Sequence, residues 1–346
     1  MRLAVNARVT AFSMGGQQRV TAEILKRLGS VEAVAPARPL GGAKGHAWEQ
    51  AILPLRTMGK LLWSPSATGP IAKRAQVVTL HDVAFLDAPE FFSSNFARAY
   101  RMLLPPLLKR AAKVVTVSEF SRQRIAHWYG LDAARIEVIG NGVSEQFRRY
   151  EPDAIAATRA ALDLPRRYFL LQATSDRRKN LVRALEAWAA ALPDLPPDLH
   201  LVVSGNLART HVFGDLGPVG DAPRAKLVGY VADEHMGPLI SGAEAFLFPT
   251  LYEGFGLPII EAMACGAPVL TSAATATQEV AGDAALLVDP ASVAEIAAGM
   301  KALAGDSWLR TRLSAAGEQR AKLYSWDDAA ARYRALFVSL GAEMGA

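Results

Sequence analysis

The 346-residue chain contains a single cysteine, Cys265, which excludes an internal disulfide and a thiolate metal cage. Its neighbours Met263, Ala264 and Ala267 mark that thiol as part of a packed helix. Although 51% of the residues are hydrophobic, no run approaches the ~18 consecutive apolar residues that a membrane span requires. The opening stretch Met1–Ala7 has neither the charged flank nor the long apolar run of a signal peptide, so it reads as a buried strand of a cytoplasmic protein. No group of Asp or His has metal-ligand spacing, and no metal or other cofactor is expected. Internal repeats and low-complexity tracts are also missing. What remains is a chain long enough for two α/β domains of roughly 150 to 200 residues each, and two such lobes imply a cleft.

A net charge of +5 conceals an asymmetry: residues 1–150 hold 21 Lys and Arg against 10 Asp and Glu, a balance of +11, and the remainder holds 17 against 23, or −6. A basic half can meet nucleic acid or an anionic lipid surface. The segment Tyr100-Arg101-Met102-Leu103-Leu104-Pro105-Pro106-Leu107-Leu108-Lys109-Arg110, with Lys113 behind it, interleaves large apolar side chains with cations. That pattern favours docking at the inner face of an anionic membrane over nucleic acid, with a solvated basic helix as the plain alternative.

Strand and helix patterns alternate along the chain. The spacing predicts strands at Leu3–Asn6, Ala33–Pro36, Lys60–Trp63, Gln76–Thr79, Lys113–Val117 and Glu137–Ile139, then at Phe169–Gln172, Leu199–Ser204, Ala225–Val228, Ala245–Phe248, Pro268–Thr271 and Ala285–Val288. Helices are predicted at Arg19–Leu28, Ser94–Arg110, Ser121–Trp128, Leu181–Ala191, Pro258–Cys265, Val293–Leu303 and Trp326–Leu340. This is βαβ alternation, hence parallel sheets, built twice. The polar stretch Gln146–Pro165 reads as the linker, and ligands are expected at the carboxyl ends of the strands.

The segment Pro249 to Pro268 carries the chemistry: strand, glycine turn, helix, glycine, strand. Gly254 and Gly256 let a backbone approach a ligand, and Pro258 suits a first helical turn. The unpaired amides there favour an anion. Glu253 and Glu261 can face one crevice and accept hydrogen bonds from hydroxyl groups, one set on a hexose and the other on a ribose. Taken alone, the two glutamates read equally well as a helix cap and a surface charge.

The whole segment resembles the retaining family-four glycosyltransferases (glycosyl transferases group 1) of the GT-B fold, whose signature is two glutamates separated by seven residues around such a turn. The likeness extends over nearly the whole chain: Met14-Gly15-Gly16-Gln17-Gln18-Arg19 is similar to the family's N-terminal glycine loop, and Val78-Thr79-Leu80-His81-Asp82 to its strand ending in histidine. Val115–Ser121 and Val138–Val143 are similar to its later N-domain strands, and Arg177-Arg178-Lys179-Asn180 to its cationic donor loop. Ala173 stands where many relatives have glycine, Arg177 where many have proline, and Gln278-Glu279 where many have Pro-Glu. These departures bear on sugar identity more than on diphosphate binding.

The resemblance implies a GT-B fold of two Rossmann-like domains facing a central cleft: an acceptor-binding domain at 1–150, a nucleotide-sugar domain at 151–325, and a C-terminal helix at 326–346 that packs on one lobe. It implies that Glu253 contacts the donor hexose, that Glu261 holds the ribose, and that the amides of Gly254, Phe255, Gly256 and Leu257 meet sugar and diphosphate. Arg178 and Lys179, which follow a strand and precede a helix, would neutralise the diphosphate in place of a metal; the Asp-x-Asp signature of metal-dependent glycosyltransferases does not occur. Gly15, Gly16, Thr174, Tyr230 and Val231 are the further donor-binding candidates. His81 is the candidate for hydrogen-bonding the sugar or helping the acceptor proton leave, and Asp82 for the acceptor.

The implied reaction is transfer of a hexose with retention, from a nucleoside-diphosphate sugar to a glycan or lipid-linked glycan in surface polysaccharide or lipopolysaccharide assembly. GDP-mannose is favoured, and UDP-hexoses and dTDP-rhamnose are the alternatives. A dinucleotide-dependent oxidoreductase fits less well, since Gly15-Gly16 lacks the third glycine of that fingerprint. A non-catalytic sugar- or nucleotide-binding protein has only the basic half and the two lobes in its favour. Phosphorylases and epimerases of the same fold would use inorganic phosphate or no acceptor.

Overall fold

The computed structural model describes residues 1–11, 15–206 and 222–344. These form two compact units, Met1–Gly142 with Ser325–Ala346, and Val143–Tyr324. Each is built on a six-stranded parallel sheet.

Unit one contains β1 (Leu3–Asn6), β2 (Glu32–Val34), β3 (Leu61–Ser64), β4 (Gln76–Thr79), β5 (Lys113–Thr116) and β6 (Ile136–Val138), ordered β2-β1-β3-β4-β5-β6. Every residue of β1, β3 and β4 is buried, as a parallel sheet covered on both faces requires. Its helices include α1 (Gly16–Leu28), α2 (Gly42–Ala51), α3 (Leu53–Arg56), α4 (Ala84–Asp87), α5 (Ser94–Arg110) and α6 (Glu119–Tyr129).

Unit two begins with α7 (Pro152–Ala161), so the stretch 146–165 is not the extended linker that its polarity suggests. Glu151 at the N-cap and Pro152 at the first helical position start a helix there, where the missing N–H costs nothing. Its strands are β7 (Arg167–Gln172), β8 (Leu199–Ser204), β9 (Ala225–Gly229), β10 (Ala245–Phe248), β11 (Val269–Ser272) and β12 (Ala285–Val288), ordered β12-β11-β10-β7-β8-β9. Strand order therefore reverses between β7 and β10, and in unit one between β1 and β3. Open α/β sheets place their ligands at the carboxyl ends of such switch points. The helices of unit two include α8 (Leu181–Ala191), α9 (Asp233–Ser241), α10 (Leu257–Ala264), α11 (Thr275–Ala281), α12 (Val293–Gly305) and α13 (Ser307–Ala321). A core of Phe169, Leu171, Trp188, Leu201, Val203, Leu247 and Met300 joins α8 and α12 to the sheet.

The last helix, α14 (Trp326–Ser339), belongs to unit one. Ser325 caps it by accepting from the amides of Asp327 and Asp328, a typical N-terminal device. Tyr333 and Phe337 pack their rings 5.0 and 5.8 Å from that of Trp63 on β3, and the Trp63 indole donates to Thr79 Oγ1 at 3.0 Å. Where the chain leaves this unit, a Cβ on Gly142 would lie 2.1 Å from the Trp326 nitrogen, so the outgoing and returning segments can touch only through a glycine.

Candidate active site

In unit two the donor loop follows β7 and the glycine turn follows β10, so the switch point brings the predicted residues together. Arg177–Lys179 forms a short 3-10 turn, and Asn180 then adopts a left-handed conformation with φ of 57°, which Asn tolerates better than most residues. The buried Asn180 amide donates to the carbonyls of Pro249 at 2.8 Å and Pro290 at 2.7 Å. One side chain thus ties the loops after β7, β10 and β12.

Two of the three cations of this loop, Arg178 and Lys179, make different contacts. Arg178 turns back on Asp176, with Nε 2.9 Å from Oδ2, while its carbonyl accepts from the Leu251 amide at 2.7 Å. Burial raises the pKa of Asp176, but the hydrogen bonds and charge of Arg178, helped by Lys179, outweigh it and hold the carboxyl below its ordinary 3.8. Lys179 reaches across the sheet edge: Nζ donates to Glu253 Oε1 at 2.7 Å and lies 4.8 Å from the centre of the Phe248 ring, a cation–π distance.

Glu253 uses its two oxygens unequally. Oε1 takes Lys179 and lies 3.0 Å from the hydroxyl of Thr250, whose single proton can instead serve the Arg178 carbonyl at 2.8 Å. Oε2 has no hydrogen bond among the described residues, which leaves it able to accept one from a hydroxyl. Beyond it, Gly254 and Phe255 are buried, Phe255 edge-on to Tyr324 at 5.6 Å. Gly256 has φ of 105°, a left-handed conformation that favours glycine. It is the N-cap of α10, with Leu257 and Pro258 in the first turn and Glu261 buried one turn further on.

Other predicted residues stand apart from this pair. Thr174 Oγ1 accepts from the Asp176 amide at 3.3 Å, bracing the start of the donor loop. Val231 is buried and Tyr230 is 76% exposed; no hydrogen bond among the described residues joins Tyr230 to the pair. Cys265 is buried, and burial pushes its thiol up to about 12, in keeping with the packing role read from its neighbours.

In unit one, Gly15 is the exposed N-cap of α1 and Gly16 its first residue. A Cβ on Gly16 would meet nothing within 4 Å, so packing within the chain does not demand glycine there. Met14, in the same motif, lies outside the described residues. His81 follows β4 and is 7% exposed. Its Nε2 lies 2.9 Å from the Pro65 carbonyl; a carbonyl can only accept, so Nε2 carries the proton and Nδ1 the lone pair. Burial lowers its pKa from 6.5 despite that bond and the Asp82 charge, which keeps the ring neutral. Asp82 Oδ1 caps the following turn by accepting from the Ala84 amide at 2.9 Å.

Sequence reasoning missed Thr250, Phe248 and Asp176, which position the cation–carboxylate pair. It also missed a buried cluster of Asn6, Arg8, Glu49 and Thr68. Asp176 and Thr250 each lie within three residues of a predicted group, which is the one local signal for them.

A cation–carboxylate pair and a glycine turn at the switch point of one of two Rossmann-like sheets define a GT-B glycosyltransferase. The model of the family described as glycosyl transferases group 1 matches residues 157–320, and that of glycosyltransferase family 4 matches residues 60–147. The O-antigen chain mannosyltransferase B of Escherichia coli is 33% identical over 256 residues, 73% of this chain and 67% of that protein. The serotype-specific mannosyltransferase WbdA of Escherichia coli is 27% identical over 73% of this chain, and the chain spans only 32% of its length. Among solved structures, HepE of Anabaena in complex with UDP and glucose has a TM-score of 0.78 at 18% identity, over 98% of this chain and 100% of that one; this likeness concerns the fold. The chain belongs to the group 1, family 4 glycosyltransferases. No helix among the described residues is long and apolar enough to cross a membrane.

Proposed function

We propose that the protein transfers mannose from GDP-mannose, with retention at the anomeric carbon and without a metal, to a glycan or lipid-linked glycan in the assembly of a surface polysaccharide such as O-antigen. The observation that carries the reading is the Lys179–Glu253 pair at 2.7 Å, at the switch point of the nucleotide-sugar unit. One partner is a cation placed where a diphosphate would lie, and the other offers an unengaged carboxylate oxygen to a sugar hydroxyl. The mannosyl donor and O-antigen acceptor are favoured by the similarity to the Escherichia coli enzymes named for those activities.

In this mechanism the acceptor hydroxyl attacks from the face that the diphosphate leaves, through an oxocarbenium-like transition state. Lys179, Arg178 and the first-turn amides of α10 stabilise charge building on the leaving group, which is the largest contribution a preorganised site makes. Glu253 orients the hexose, and Glu261 holds the ribose. Neither has to act as a proton donor, in contrast to the paired carboxylates of a glycosidase. The acceptor is assigned to unit one, with His81 and Asp82.

A thermal-shift panel of GDP-, UDP-, ADP- and dTDP-sugars tests the donor, because a bound ligand stabilises in proportion to the logarithm of its concentration over Kd. GDP-mannose is expected to give the largest shift. NMR of the product is expected to show the donor's anomeric configuration, and chelators are expected to leave the rate unchanged. A larger shift with another nucleotide sugar overturns the donor, an inverted product the stereochemistry, and loss of rate with a chelator the metal independence.

The outward side of α5 favours work at an anionic membrane. Met102 is 73% and Phe96 37% exposed, and Arg98, Arg101, Lys109 and Arg110 are exposed on the same helix. Vesicles rich in phosphatidylglycerol are expected to carry the protein in flotation and phosphatidylcholine vesicles to leave it behind. Equal behaviour in both, or unchanged flotation of the Met102→Asp, Arg101→Glu variant, would remove the membrane from the proposal.

A further inference from the structure

The switch point of unit one, between β1 and β3, holds a buried ionic cluster that the reaction outlined above does not use. Glu49 on α2 is wholly buried. Its Oε1 accepts from the Asn6 amide at 2.8 Å and the Thr68 hydroxyl at 3.1 Å, and forms an ion pair with Arg8, whose Nε lies 3.0 Å away. These come from the end of β1, the turn after it and the loop after β3. Arg8 also donates to Thr68 Oγ1 and to the Leu40 carbonyl. One carboxylate oxygen and one guanidinium therefore hold together the loops that edge the sheet.

The second oxygen does something different. Glu49 Oε2 lies 3.2 Å from Nδ1 of His46, three residues earlier on the same helix and 29% exposed. Burial raises the pKa of Glu49, but His46, Arg8 and Asn6 together outweigh it and keep it below its ordinary 4.5. An ionised carboxylate can only accept, so Nδ1 carries a proton and donates it to Glu49. The other ring nitrogen, Nε2, has no hydrogen bond among the described residues. The ring also stands edge-on to Tyr100 at 6.1 Å, so the tautomer is set by Glu49 and the ring is flanked by an aromatic. The loop that supplies Thr68 to this cluster supplies the Pro65 carbonyl to His81, and Tyr100 also packs on Phe85 of α4 at 5.5 Å, just beyond Asp82. The two histidines are thus built around the same loop at the carboxyl edge of one sheet, where a ligand of this architecture binds.

We infer that His46 is a further acceptor-binding residue, its Nε2 hydrogen-bonding a hydroxyl of the acceptor sugar on a ring that Glu49 and Tyr100 hold in place. The inference rests on the transferase reading, and it adds a residue to the acceptor side of that reaction. A hydroxyl both donates and accepts, so it can meet the free nitrogen of a ring that a carboxylate orients, and a hydroxyl is what every glycan acceptor presents.

The test uses the full chain, with GDP-mannose as donor and octyl α-mannoside as acceptor probe. His46→Ala is expected to raise the KM for octyl mannoside by roughly tenfold, the loss of one hydrogen bond of ordinary strength. The KM for GDP-mannose and its slow hydrolysis without acceptor are expected to stay as in the wild type, while the Tm falls by a few degrees because the buried Glu49 loses one partner. His46→Gln, whose amide can donate to Glu49 and still present a carbonyl oxygen, is expected to recover part of the loss. A purely structural histidine would weaken donor and acceptor constants together; that result, or an unchanged acceptor KM, overturns the inference. Should His46→Ala fail to fold, His46→Gln and His46→Asn carry the same comparison. A wild type that transfers from none of the nucleotide sugars refutes the transferase reading and this inference with it, whereas normal transfer with an indifferent His46 refutes this inference alone.

Discussion

Replacing Lys179 with Ala tests the site at its centre, because the proposed mechanism makes stability and catalysis depend on this lysine to very different degrees. Its side chain and that of Glu253 are 21% and 15% exposed, so the pair is part-solvated and its net contribution to folding is about 1 kcal/mol. The contact with Phe248 adds about 0.5–1 kcal/mol. The variant should therefore fold, with a Tm lowered by a few degrees. Against a departing diphosphate the same ammonium meets charge that grows only in the transition state, where one preorganised donor is worth about 2.7–4 kcal/mol. That corresponds to a loss in kcat of roughly 10²- to 10³-fold.

The assay is release of GDP from GDP-mannose in the presence of acceptor, with circular dichroism confirming the fold. Lys179→Met, which keeps the stem and removes the charge, should match Lys179→Ala. The pair also permits a double-mutant cycle with Glu253→Gln. If Lys179 serves only to hold Glu253, the double variant will be no slower than Glu253→Gln alone. If it meets the diphosphate, the double variant will be slower by most of the Lys179 effect. A loss under tenfold in Lys179→Ala, or a double variant equal to Glu253→Gln, would refute the assignment of the diphosphate to this loop.

Three more perturbations follow from named contacts. Glu49→Ala should cost about 3–5 kcal/mol in chemical denaturation at pH 7, because Arg8 stays buried without its partner. Since the folded pKa of Glu49 lies below its ordinary 4.5, its contribution is full above about pH 4.5 and fades as pH falls through the folded value; a gap between wild type and variant that widens on acidification would contradict this. His81 should show the Nε2–H tautomer by nitrogen NMR and stay neutral below pH 6.5, its stabilising contribution being full above 6.5 and lost as pH falls towards its lowered folded value. Charging of this ring at or above pH 6.5 would refute the burial effect that holds it neutral. Gly205→Ala puts a Cβ 1.7 Å from the Ala173 carbonyl oxygen, on a residue with φ of 130°. It should cost at least about 2 kcal/mol and weaken donor binding, because Ala173 opens the donor loop; an unchanged Tm would refute it.

All twelve strands among the described residues are where hydrophobic runs between turn residues predict them, five of them to the residue (β1, β4, β8, β10 and β12). Buried parallel strands announce themselves without context. Helices were harder to read. α5 and α8 match their predicted bounds, but α2 was missed because its sequence, Gly-Ala-Lys-Gly-His-Ala-Trp-Glu-Gln-Ala, carries two glycines and almost no apolar stripe. What holds α2 in place is the buried side of Gly45 and Glu49. A Cβ on Gly45 would come within 2.4 Å of the Leu40 carbonyl oxygen and 2.6 Å of Arg8, and Glu49 is bonded to residues 43 and 19 positions away. Neither fact has a local signature. The glycine turn and the Arg-Lys pair were legible because their chemistry is concentrated in short segments that meet at a strand end.

The same distinction explains why one switch point was readable and the other was not. In unit two the groups proposed to face the ligand are main-chain amides, a cation and a carboxylate, and each is placed by the turn it sits in: Asn180 at φ of 57° and Gly256 at φ of 105° aim them. Local geometry requires particular residue types, so the pattern survives in a linear reading. In unit one the corresponding edge is held by side chains that converge from β1, α2 and the loop after β3, and any one of them, taken alone, reads as an ordinary polar residue. Glu49 is informative only when seen buried with one oxygen committed to the fold and the other to His46. A site built from turns can be found from sequence. A site built from a buried ionic cluster needs the tertiary structure, and here that cluster orients a histidine with one ring nitrogen unused.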